Sequence, residues 1–410
     1  MTVGSERTTL RYRDLFRDSE FTGLWIADVL SLAGSYVAKL AIAALVFQRT
    51  GSPGLTAAAF AISFAPYLFS PVLATIADRF PRKQLLVASD LVRAGLVLLL
   101  LIPGLPLGVL LLLLFVVETV QIPFGAARLA TLADVLDADR FPVGNAFVAS
   151  TRQAVQVSGF LIGGAVVALT GARFALLLDS VTYVVSAVLI VMFVRSRPQA
   201  WLEQGEKPRM WASALEGLRI VTTTPGMKGW FWLLALGPGL IVIAEGLAVP
   251  FADELGGGAM LAGVIMATAP LGNVVGFAIF GRLPLERQQQ LIYPSALSAG
   301  ALVCLSGLAG HLTSSVPVVL LALTLGGATL GYLTAIQSMV ASVVPRAARG
   351  RVFGLGNAVM QIAQGFAVVI AGVIAEWGDV ALALGVSGGV GVLAVALVAA
   401  TRSRAAAKVD

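Results

Sequence analysis

Long apolar segments alternate with short polar connections along the whole chain. Twelve of these segments are long enough to cross a bilayer as an α-helix, which takes about 20 residues. Six come before a polar stretch at residues 195–228, and six come after it. The pattern predicts an all-α membrane protein with twelve transmembrane helices in two six-helix halves.

The apolar segments also set the expected boundaries. They lie near residues 22–47, 55–77, 85–102, 107–124, 143–169, 174–194, 229–249, 259–280, 291–309, 316–337, 352–375 and 380–400. We therefore expect an N-terminal segment (1–21), an N-terminal bundle (22–194), a linker (195–228), a C-terminal bundle (229–400) and a tail (401–410). In the linker, Trp211, Leu215 and Leu218 repeat at helical spacing, which predicts an amphipathic helix at the membrane surface.

The composition agrees with a membrane protein and argues against a nucleic-acid partner. Hydrophobic residues make up 58% of the chain and charged residues only 12%, with a mean hydropathy of +0.91. These values lie outside the range of soluble domains. The net charge is +6, but the basic residues lie in the connections between apolar segments, where they set topology.

The distribution of Lys and Arg predicts the orientation in the membrane. The N-terminal segment, the even-numbered connections and the tail hold 23 of the 28 basic residues. Because basic connections stay inside, both termini are expected in the cytoplasm. The N-terminal segment lacks the cleavage site of a signal peptide. The arginine-rich and alanine-rich composition is typical of GC-rich genomes, so we expect the cytoplasmic (inner) membrane of a bacterium.

The sequence offers little that could support an enzyme. The single cysteine, Cys304, and the single histidine, His311, exclude a disulfide within the chain and a His pair for metal or acid-base chemistry. Neither a His-Glu-x-x-His motif nor a Gly-x-Ser-x-Gly elbow is present. The linker is too short for a catalytic or sensory domain. We expect no enzymatic activity, no metal and no cofactor.

Several motifs resemble those of one transporter family. The connection Ala77-Asp78-Arg79-Phe80-Pro81-Arg82-Lys83 is similar to the signature between the second and third helices of major facilitator superfamily transporters. Further segments resemble the drug, macrolide and siderophore exporters of that superfamily: Ser89-Asp90-Leu91-Val92-Arg93-Ala94, Leu215-Glu216-Gly217-Leu218-Arg219, and Val344-Pro345 with Arg349-Gly350-Arg351-Val352. Gly159-Phe160-Leu161-Ile162-Gly163-Gly164 is similar to the glycine motif of exporters, without its proline.

An internal repeat agrees with two related halves. Gly144-Asn145-Ala146 opens the fifth span, and Gly356-Asn357-Ala358 lies near the start of the eleventh. Such repeats are typical of transporters.

The resemblance implies the major facilitator fold and a secondary active transporter. It implies export of a lipophilic or amphipathic small molecule, such as a drug, macrolide, siderophore or secondary metabolite, by proton antiport through alternating access. Multidrug resistance would be one consequence. The alternative is an importer or facilitator of a metabolite or lipid with the same fold. The expected partners are the substrate, protons and the lipid bilayer, and we expect a monomer.

Polar and charged residues inside the spans indicate a cavity, because each is costly in lipid. Asp28, Ser31, Ser35 and Lys39 share one face of the first span. The resemblance makes the first, fourth, seventh and tenth spans cavity-lining. The expected substrate cavity consists of Ser31, Ser35, Lys39, Gln121, Glu245, Thr324 and Tyr332.

The charged residues in the spans have expected roles. Asp28 or Glu118 is expected to carry the coupled proton, with Asp28 preferred for its place on the polar face of the first span. Arg152 is expected to be the buried counter-ion of one of these two acids. Asp90 and Arg93 are expected to form a local pair, since they are three residues apart. Asp179 is expected to be structural, with Arg173 as the base that answers it.

The resemblance also implies a gate on the cytoplasmic side. In the family, the acid at the position of Asp78 lies beside the start of the eleventh span, where a helix N-terminus attracts a carboxylate. The expected gate residues are Asp78, Arg79, Arg82, Lys83, Arg349, Gly350 and Arg351.

Overall fold

The computed structural model describes residues 12–137, 139–197, 210–224 and 226–406. In this part of the chain all regular structure is helical, and twelve membrane-spanning helices form two halves of six, as predicted. The N-terminal half contains α1 (Ser19–Thr50), α2 (Pro53–Ala61), α3 (Arg82–Leu99), α4 (Leu107–Val135), α5 (Phe141–Thr170) and α6 (Ala172–Phe193). The C-terminal half contains α7 (Met227–Gly246), α8 (Gly258–Phe280), α9 (Leu285–Thr313), α10 (Val316–Thr329), α11 (Arg346–Glu376) and α12 (Val380–Ala406).

Shorter helices complete the chain. They are Tyr12–Leu15 before α1, Ser70–Leu73 and Ile76–Arg79 after α2, the linker helix Met210–Thr223, Ala248–Glu254 after α7, and Tyr332–Val343, which continues α10. Successive helices alternate in direction, so the linker helix, the start of α1 and the end of α12 lie on one side. We call this the linker side and the opposite side the far side.

Among the described residues, ten helices are long and apolar enough to cross a membrane by length and composition. The second and third spans do not meet these criteria of length and composition, each for a physical reason. The third, α3, carries four charged residues in its 18 positions. The second is interrupted: α2 passes into a 3-10 helix, Ile62–Phe69, that contains Pro66. Proline lacks the N–H of a regular helical turn and its ring clashes with the preceding turn, so the helix tightens there.

The ends of the first two helices are fixed by capping residues. Asp18 accepts a hydrogen bond from the backbone N–H of Glu20 at 2.8 Å, and α1 begins there. Gly51 ends α1 with a left-handed φ of 62°, a conformation that glycine adopts without strain. Ser52 then caps α2 by accepting from Leu55 N–H at 2.9 Å.

The fourth span is longer than the sequence predicts. We expected it to end at Phe124, but α4 continues to Val135 and keeps Pro123 inside it. Arg128, assigned from the sequence to a connection, therefore lies within the helix. The proline is tolerated because neighbouring helices support the backbone around it.

Two helix pairs join the halves. Pairs α2–α11 and α5–α8 pack across the boundary, while α1 packs on α5 and α6, and α9 on α12, within each half. Glycines allow the closest approach: a Cβ built on Gly263 would lie 2.6 Å from Phe160 O and 2.7 Å from Gly164 Cα. Gly163 and Gly164 of the exporter-like motif are therefore positions where helices nearly touch.

The linker helix lies against α11. Glu216 of this helix forms an ion pair with Arg351 at 2.5 Å. The side chains of Trp211 and Leu215, on which the amphipathic prediction rests, lie outside the described part of the chain, as do residues 1–11, 198–209 and 407–410.

Candidate functional site

A central cavity of about 420 Å³ lies between the two halves. Its walls combine apolar and aromatic side chains with a small number of charged groups and several amides. The N-terminal half contributes Ser35, Tyr36, Lys39, Phe60, Phe64, Tyr67, Glu118, Gln121, Arg152, Gln153, Gln156, Phe160 and Asp179, among others. The C-terminal half contributes Pro238, Ile241, Glu245, Asn273, Phe277, Leu330, Leu333, Met360, Gln361 and Gln364, among others. Such a mixture is typical of a binding site for a small molecule.

Part of the predicted cavity set lines this space. Ser35, Lys39, Gln121 and Glu245 do, on α1, α4 and α7. The Ser35 hydroxyl also lies 2.9 Å from the Tyr183 hydroxyl, which ties α1 to α6 beside the cavity.

The prediction is wrong for Ser31, Thr324 and Tyr332. Ser31 is buried, and its carbonyl accepts the Ser35 hydroxyl at 2.8 Å. Thr324 donates to Leu320 O at 2.8 Å, in a segment of α10 that packs tightly on α8. Tyr332 is fully buried and donates to the carbonyl of Leu233 on α7 at 2.7 Å. Their places in the first and tenth spans suggested a cavity role, but Ser31 is buried, and the hydroxyls of Thr324 and Tyr332 are used by hydrogen bonds to backbone carbonyls.

An acid-base pair lies in the cavity wall. Lys39 Nζ is 3.9 Å from Glu118 Oε1, and the two side chains are 28% and 21% exposed. The ammonium also lies 5.9 Å from the centroid of the Tyr36 ring, a favourable position for a cation. The pair is the longest ion pair among those described inside the cavity, and both partners remain accessible from it.

Asp28 is held by two arginines. Arg152 on α5 donates to both of its carboxylate oxygens, at 2.7 and 2.9 Å, and Arg128 Nε on α4 lies 3.3 Å away. Of the two acids that the sequence offers to Arg152, the structure places Asp28 against it. The Asp28 side chain is only 5% exposed and lies outside the cavity lining, so its expected place on a cavity-facing stripe is wrong.

Asp90 and Arg93 form a buried network instead of a simple local pair. Arg93 Nη2 donates to Asp90 at 2.5 Å, while Ser186 on α6 donates to the same carboxylate at 2.7 Å. The guanidinium also contacts Gln121 and stacks on Phe124 and Tyr183, with centroid distances of 4.2 and 4.5 Å. This network connects α3, α4 and α6, and Arg93, Gln121 and Tyr183 of the network line the cavity.

Asp179 differs from the other acids of the N-terminal half. Its side chain is 1% exposed, it lines the central cavity, and its Oδ1 has no hydrogen-bond partner among the described residues. The expected partner, Arg173, is exposed near the start of α6 and forms no described ion pair with Asp179. That expectation is wrong, because the two residues lie six positions apart on one helix, which is more than the one turn that side chains bridge.

The predicted gate residues lie apart in this structure. Arg82 pairs with Asp134 on α4, Lys83 donates to Val191 O at 2.9 Å, and Arg349 donates to Val344 O at 3.1 Å. Arg351 contacts the linker helix, Arg79 and Gly350 are exposed, and the side chain of Asp78 lies outside the described part of the chain. Among the described gate residues, each ionic or hydrogen-bonding contact stays within its own half or reaches the linker helix.

A charge cluster ties the linker-side ends of the N-terminal half together. Arg197 donates to Glu20 at 2.5 and 3.0 Å and lies 4.0 Å from Asp134, the partner of Arg82. The hydrogen bond to the Glu20 carboxylate raises the pKa of Arg197 above its ordinary value. The cluster connects α1, α3, α4 and the segment after α6.

On the far side, direct contacts join the two halves. Glu376 at the end of α11 accepts hydrogen bonds from the Ser52 hydroxyl and from Gly54 N–H, the latter at 2.8 Å. Close by, Gly372 lies against Ala57 and Gly54, and Gly263 against Gly164. These contacts close the cavity toward the far side.

Sequence reasoning missed several residues of the site. Arg128 was assigned to a loop because the span was ended too early. The amides Gln153 and Gln156 share a face of α5 with Arg152, and Gln361 and Gln364 are three apart on α11. Polar spacing inside an apolar span is the sequence signal for these four residues. Nothing in the sequence indicates that Glu376 contacts the other half, since an acidic residue at the end of a span is common.

Comparison with known proteins agrees with this architecture. A family model described as Major Facilitator Superfamily matches residues 24–306, so the chain belongs to the Major Facilitator Superfamily and is a multi-pass membrane transporter. Macrolide efflux protein A of Streptococcus pyogenes is 30% identical over 77 residues, which are 18% of this chain and 19% of that protein. The match thus spans about a fifth of that relative's length.

Solved structures share the fold at low identity. A crystal structure of the nucleoside transporter NupG has a TM-score of 0.69 at 13% identity, covering 92% of this chain and 98% of that one. A peptide transporter POT in complex with sulfate has a TM-score of 0.74 at 13% identity, covering 94% and 95%. A bacterial homologue of the human lysosomal transporter Spinster, in an inward-facing and unoccupied conformation, has a TM-score of 0.67 at 15% identity, covering 93% and 95%.

Proposed function

We propose that the protein exports an amphipathic small molecule, such as a macrolide, in exchange for protons. The linker side is then the cytoplasmic side of a bacterial inner membrane, because the basic connections lie there. With the far-side contacts closed, the cavity in this conformation receives its substrate from the cytoplasm. The opposite conformation releases the substrate outside, as alternating access requires.

The chemistry of the cavity wall carries this proposal. Its volume of about 420 Å³ lies within the range of pockets that bind small molecules. Aromatic residues from both halves, including Phe60, Phe64 and Phe277, offer apolar surface. The amides and the Lys39–Glu118 pair offer separate polar contacts. An amphipathic ligand with an apolar body and a basic group matches this arrangement, and the stretch similar to a macrolide efflux protein supports the same substrate class.

Glu118 is the acid that we propose to couple substrate to protons. Its 3.9 Å contact with Lys39 is loose, and the carboxylate is accessible from the cavity. A basic group of the substrate can therefore replace Lys39 or a proton at this carboxylate. Asp28 is the less suitable carrier of the two, because Arg128 and Arg152 already bind its carboxylate and it lies outside the cavity lining.

We further propose that the gate residues meet in the opposite conformation. Residues Ile76–Arg79 lie at the linker-side end of the second span, and α11 begins on the same side. Closure there would bring Asp78 to the N-terminus of α11, which carries a partial positive charge. In the present conformation the gate residue Arg351 is bound to Glu216 of the linker helix. This ion pair would have to break or shift when the gate closes.

Transport into inverted membrane vesicles tests the proposal. When the vesicle interior is more acidic than the medium, a labelled macrolide such as erythromycin should accumulate in vesicles that contain the protein and not in vesicles without it. A protonophore that collapses the pH gradient should release the accumulated macrolide. Accumulation only in right-side-out vesicles would support the importer reading and contradict export.

The Glu118→Gln variant tests the coupling residue in the same assay. We expect KM for the basic macrolide to rise, because the cavity loses the carboxylate that attracts the substrate cation, and proton-driven accumulation to fall. Thr324→Val, at a position whose hydroxyl lies outside the cavity, serves as the control variant and should transport normally. Unchanged KM and accumulation in Glu118→Gln would remove Glu118 from the mechanism.

A further inference from the structure

Asp179 lies in the cavity wall at the contact between α1 and α6. A Cβ built on Gly34 of α1 would lie 2.7 Å from Asp179 Oδ1 and 2.1 Å from Thr182 Oγ1, so the carboxyl faces the bare backbone of that glycine. The Thr182 hydroxyl donates to the backbone carbonyl of Asp179 at 2.7 Å and not to its carboxyl group. Among the described residues, no hydrogen bond or ion pair reaches the carboxyl oxygens of Asp179.

The other interior acids of the N-terminal half are partnered. Asp28 has two arginines, Asp90 has Arg93 and Ser186, and Glu118 has Lys39. Asp179 is as deeply buried as Asp90, with 1% against 0% of its surface exposed. Burying an ionised carboxylate without a partner costs far more free energy than burying a neutral carboxylic acid.

We propose that Asp179 is a proton-binding site of the transporter, protonated in this conformation and deprotonated in the course of the cycle. The neutral acid fits the buried, unpartnered position against Gly34. When the cavity rearranges, the O–H bond of the carboxyl breaks, the proton passes to water in the cavity, and a carboxylate remains.

The groups around Asp179 indicate how that carboxylate is stabilised. The guanidinium of Arg93 on α3 stacks on Tyr183, one turn along α6 from Asp179, and lines the same cavity. Glu118 on α4 and Lys39 on α1 also line this cavity, and Asp90 on α3 is bound by Arg93. Because Arg93 now serves Asp90 and Gln121, a shift of this guanidinium toward Asp179 is the change that permits release of the proton.

The protonation of Asp179 stands independently of the transported molecule, whereas its place in the cycle rests on the proposed proton antiport. Proton release is expected when substrate enters from the linker side, since the substrate reaches the cavity wall that Asp179 shares. The site would then supply a second exchangeable proton beside the one at Glu118.

Infrared spectroscopy of the purified full chain in lipid tests the protonation without any substrate. At neutral pH we expect a protonated-carboxyl band that is absent in Asp179→Asn and still present in Glu118→Gln and Asp28→Asn. Asp179→Asn should also keep the wild-type Tm at neutral pH, because the neutral amide resembles the neutral acid, while Asp28→Asn lowers it. A band unchanged in Asp179→Asn, or a Tm loss as large as that of Asp28→Asn, would overturn the proposal.

Vesicle transport then tests the role in the cycle. We expect Asp179→Asn to lose proton-driven accumulation of erythromycin while retaining exchange of labelled for unlabelled erythromycin. Normal proton-driven accumulation in this variant, or accumulation that follows a sodium gradient in its place, would overturn that role. If the wild type itself shows no proton-driven accumulation, the proposed antiport fails, and the infrared result still decides the protonation state of Asp179.

Discussion

At the scale of single residues, the interior charges of the N-terminal half differ mainly in their partners. The pattern Asp28, Ser31, Ser35 and Lys39 correctly places four polar residues on one face of α1. Periodicity does not give the depth at which each one meets its neighbours. Asp28 meets arginines of α4 and α5, whereas Lys39 meets the open cavity. The same stripe therefore serves a buried ion-pair cluster at one depth and a binding site at another.

The cluster around Asp28 leads to a prediction about stability. Asp28→Asn leaves two guanidinium groups without their acid, whereas Arg152→Gln leaves Asp28 with Arg128. Breaking a buried ion pair from one side costs about 3 to 5 kcal/mol. We expect Asp28→Asn to lower the free energy of unfolding by an amount in that range. Arg152→Gln should lower it less, because the Arg152 side chain is 30% exposed and Arg128 still pairs with Asp28.

Thermal unfolding in detergent measures both variants and the double variant. The double variant should be more stable than the sum of the two losses predicts, since it leaves only Arg128, and not Arg152 as well, without its acid. Arg49→Gln, at an exposed position at the end of α1, is the matched control for loss of an arginine. If the two single variants lose equal stability, and the loss in the double variant is the exact sum of the two, the arrangement described for Asp28 is contradicted.

At the scale of helices, the sequence predicts the number and type of elements well and their ends less well. Hydrophobic length gives twelve spans because every span must satisfy its own backbone hydrogen bonds in lipid. The end of α4 was misplaced because Pro123 and Arg128 both look like the start of a connection. Inside the bundle the proline is supported by its neighbours and the arginine by Asp28, and neither support is visible in one segment alone.

The close packing of α5 on α8 yields a prediction for the helix pair. The Cβ position of Gly263 lies 2.6 Å from Phe160 O, a backbone atom that has no freedom to rotate away. Gly263→Val should therefore force the helices apart on the far side. Overpacking of this kind costs about 1 to 3 kcal/mol, which would shift the population of conformations away from the far-side-closed one by about five-fold to a hundred-fold.

Fluorescence labelling of an introduced cysteine at Ser52 reports the change, in a background that carries Cys304→Ser. We expect faster labelling from the far side in Gly263→Val and a lower rate of macrolide transport. Gly95→Val is the matched control, because a Cβ built on Gly95 meets no atom within 4 Å. Identical labelling rates in the two variants would show that the α5–α8 contact does not hold the far side closed.

At the scale of the whole molecule, one conformation is described and transport requires at least two. The far side is closed by hydrogen bonds from Ser52 and Gly54 to Glu376 and by the glycine contacts beside them. On the linker side, the described gate contacts stay within each half or reach the linker helix. The sequence indicated the gate through its similarity to transporters, but it did not indicate the far-side contact, because both Ser52 and Glu376 serve ordinary roles at helix ends.

A cross-link across the far-side contact tests alternating access directly. Because the Ser52 and Glu376 side chains touch, cysteines at these two positions, in the Cys304→Ser background, should be joined by a short bifunctional thiol reagent. The joined protein cannot open its far side, so it should bind a macrolide from the linker side yet transport none. Reversal of a cleavable cross-link should restore transport, while each single-cysteine variant treated in the same way should remain active. Transport at the uncross-linked rate in the joined protein would mean that the substrate does not leave through an opening between α2 and α11 on the far side.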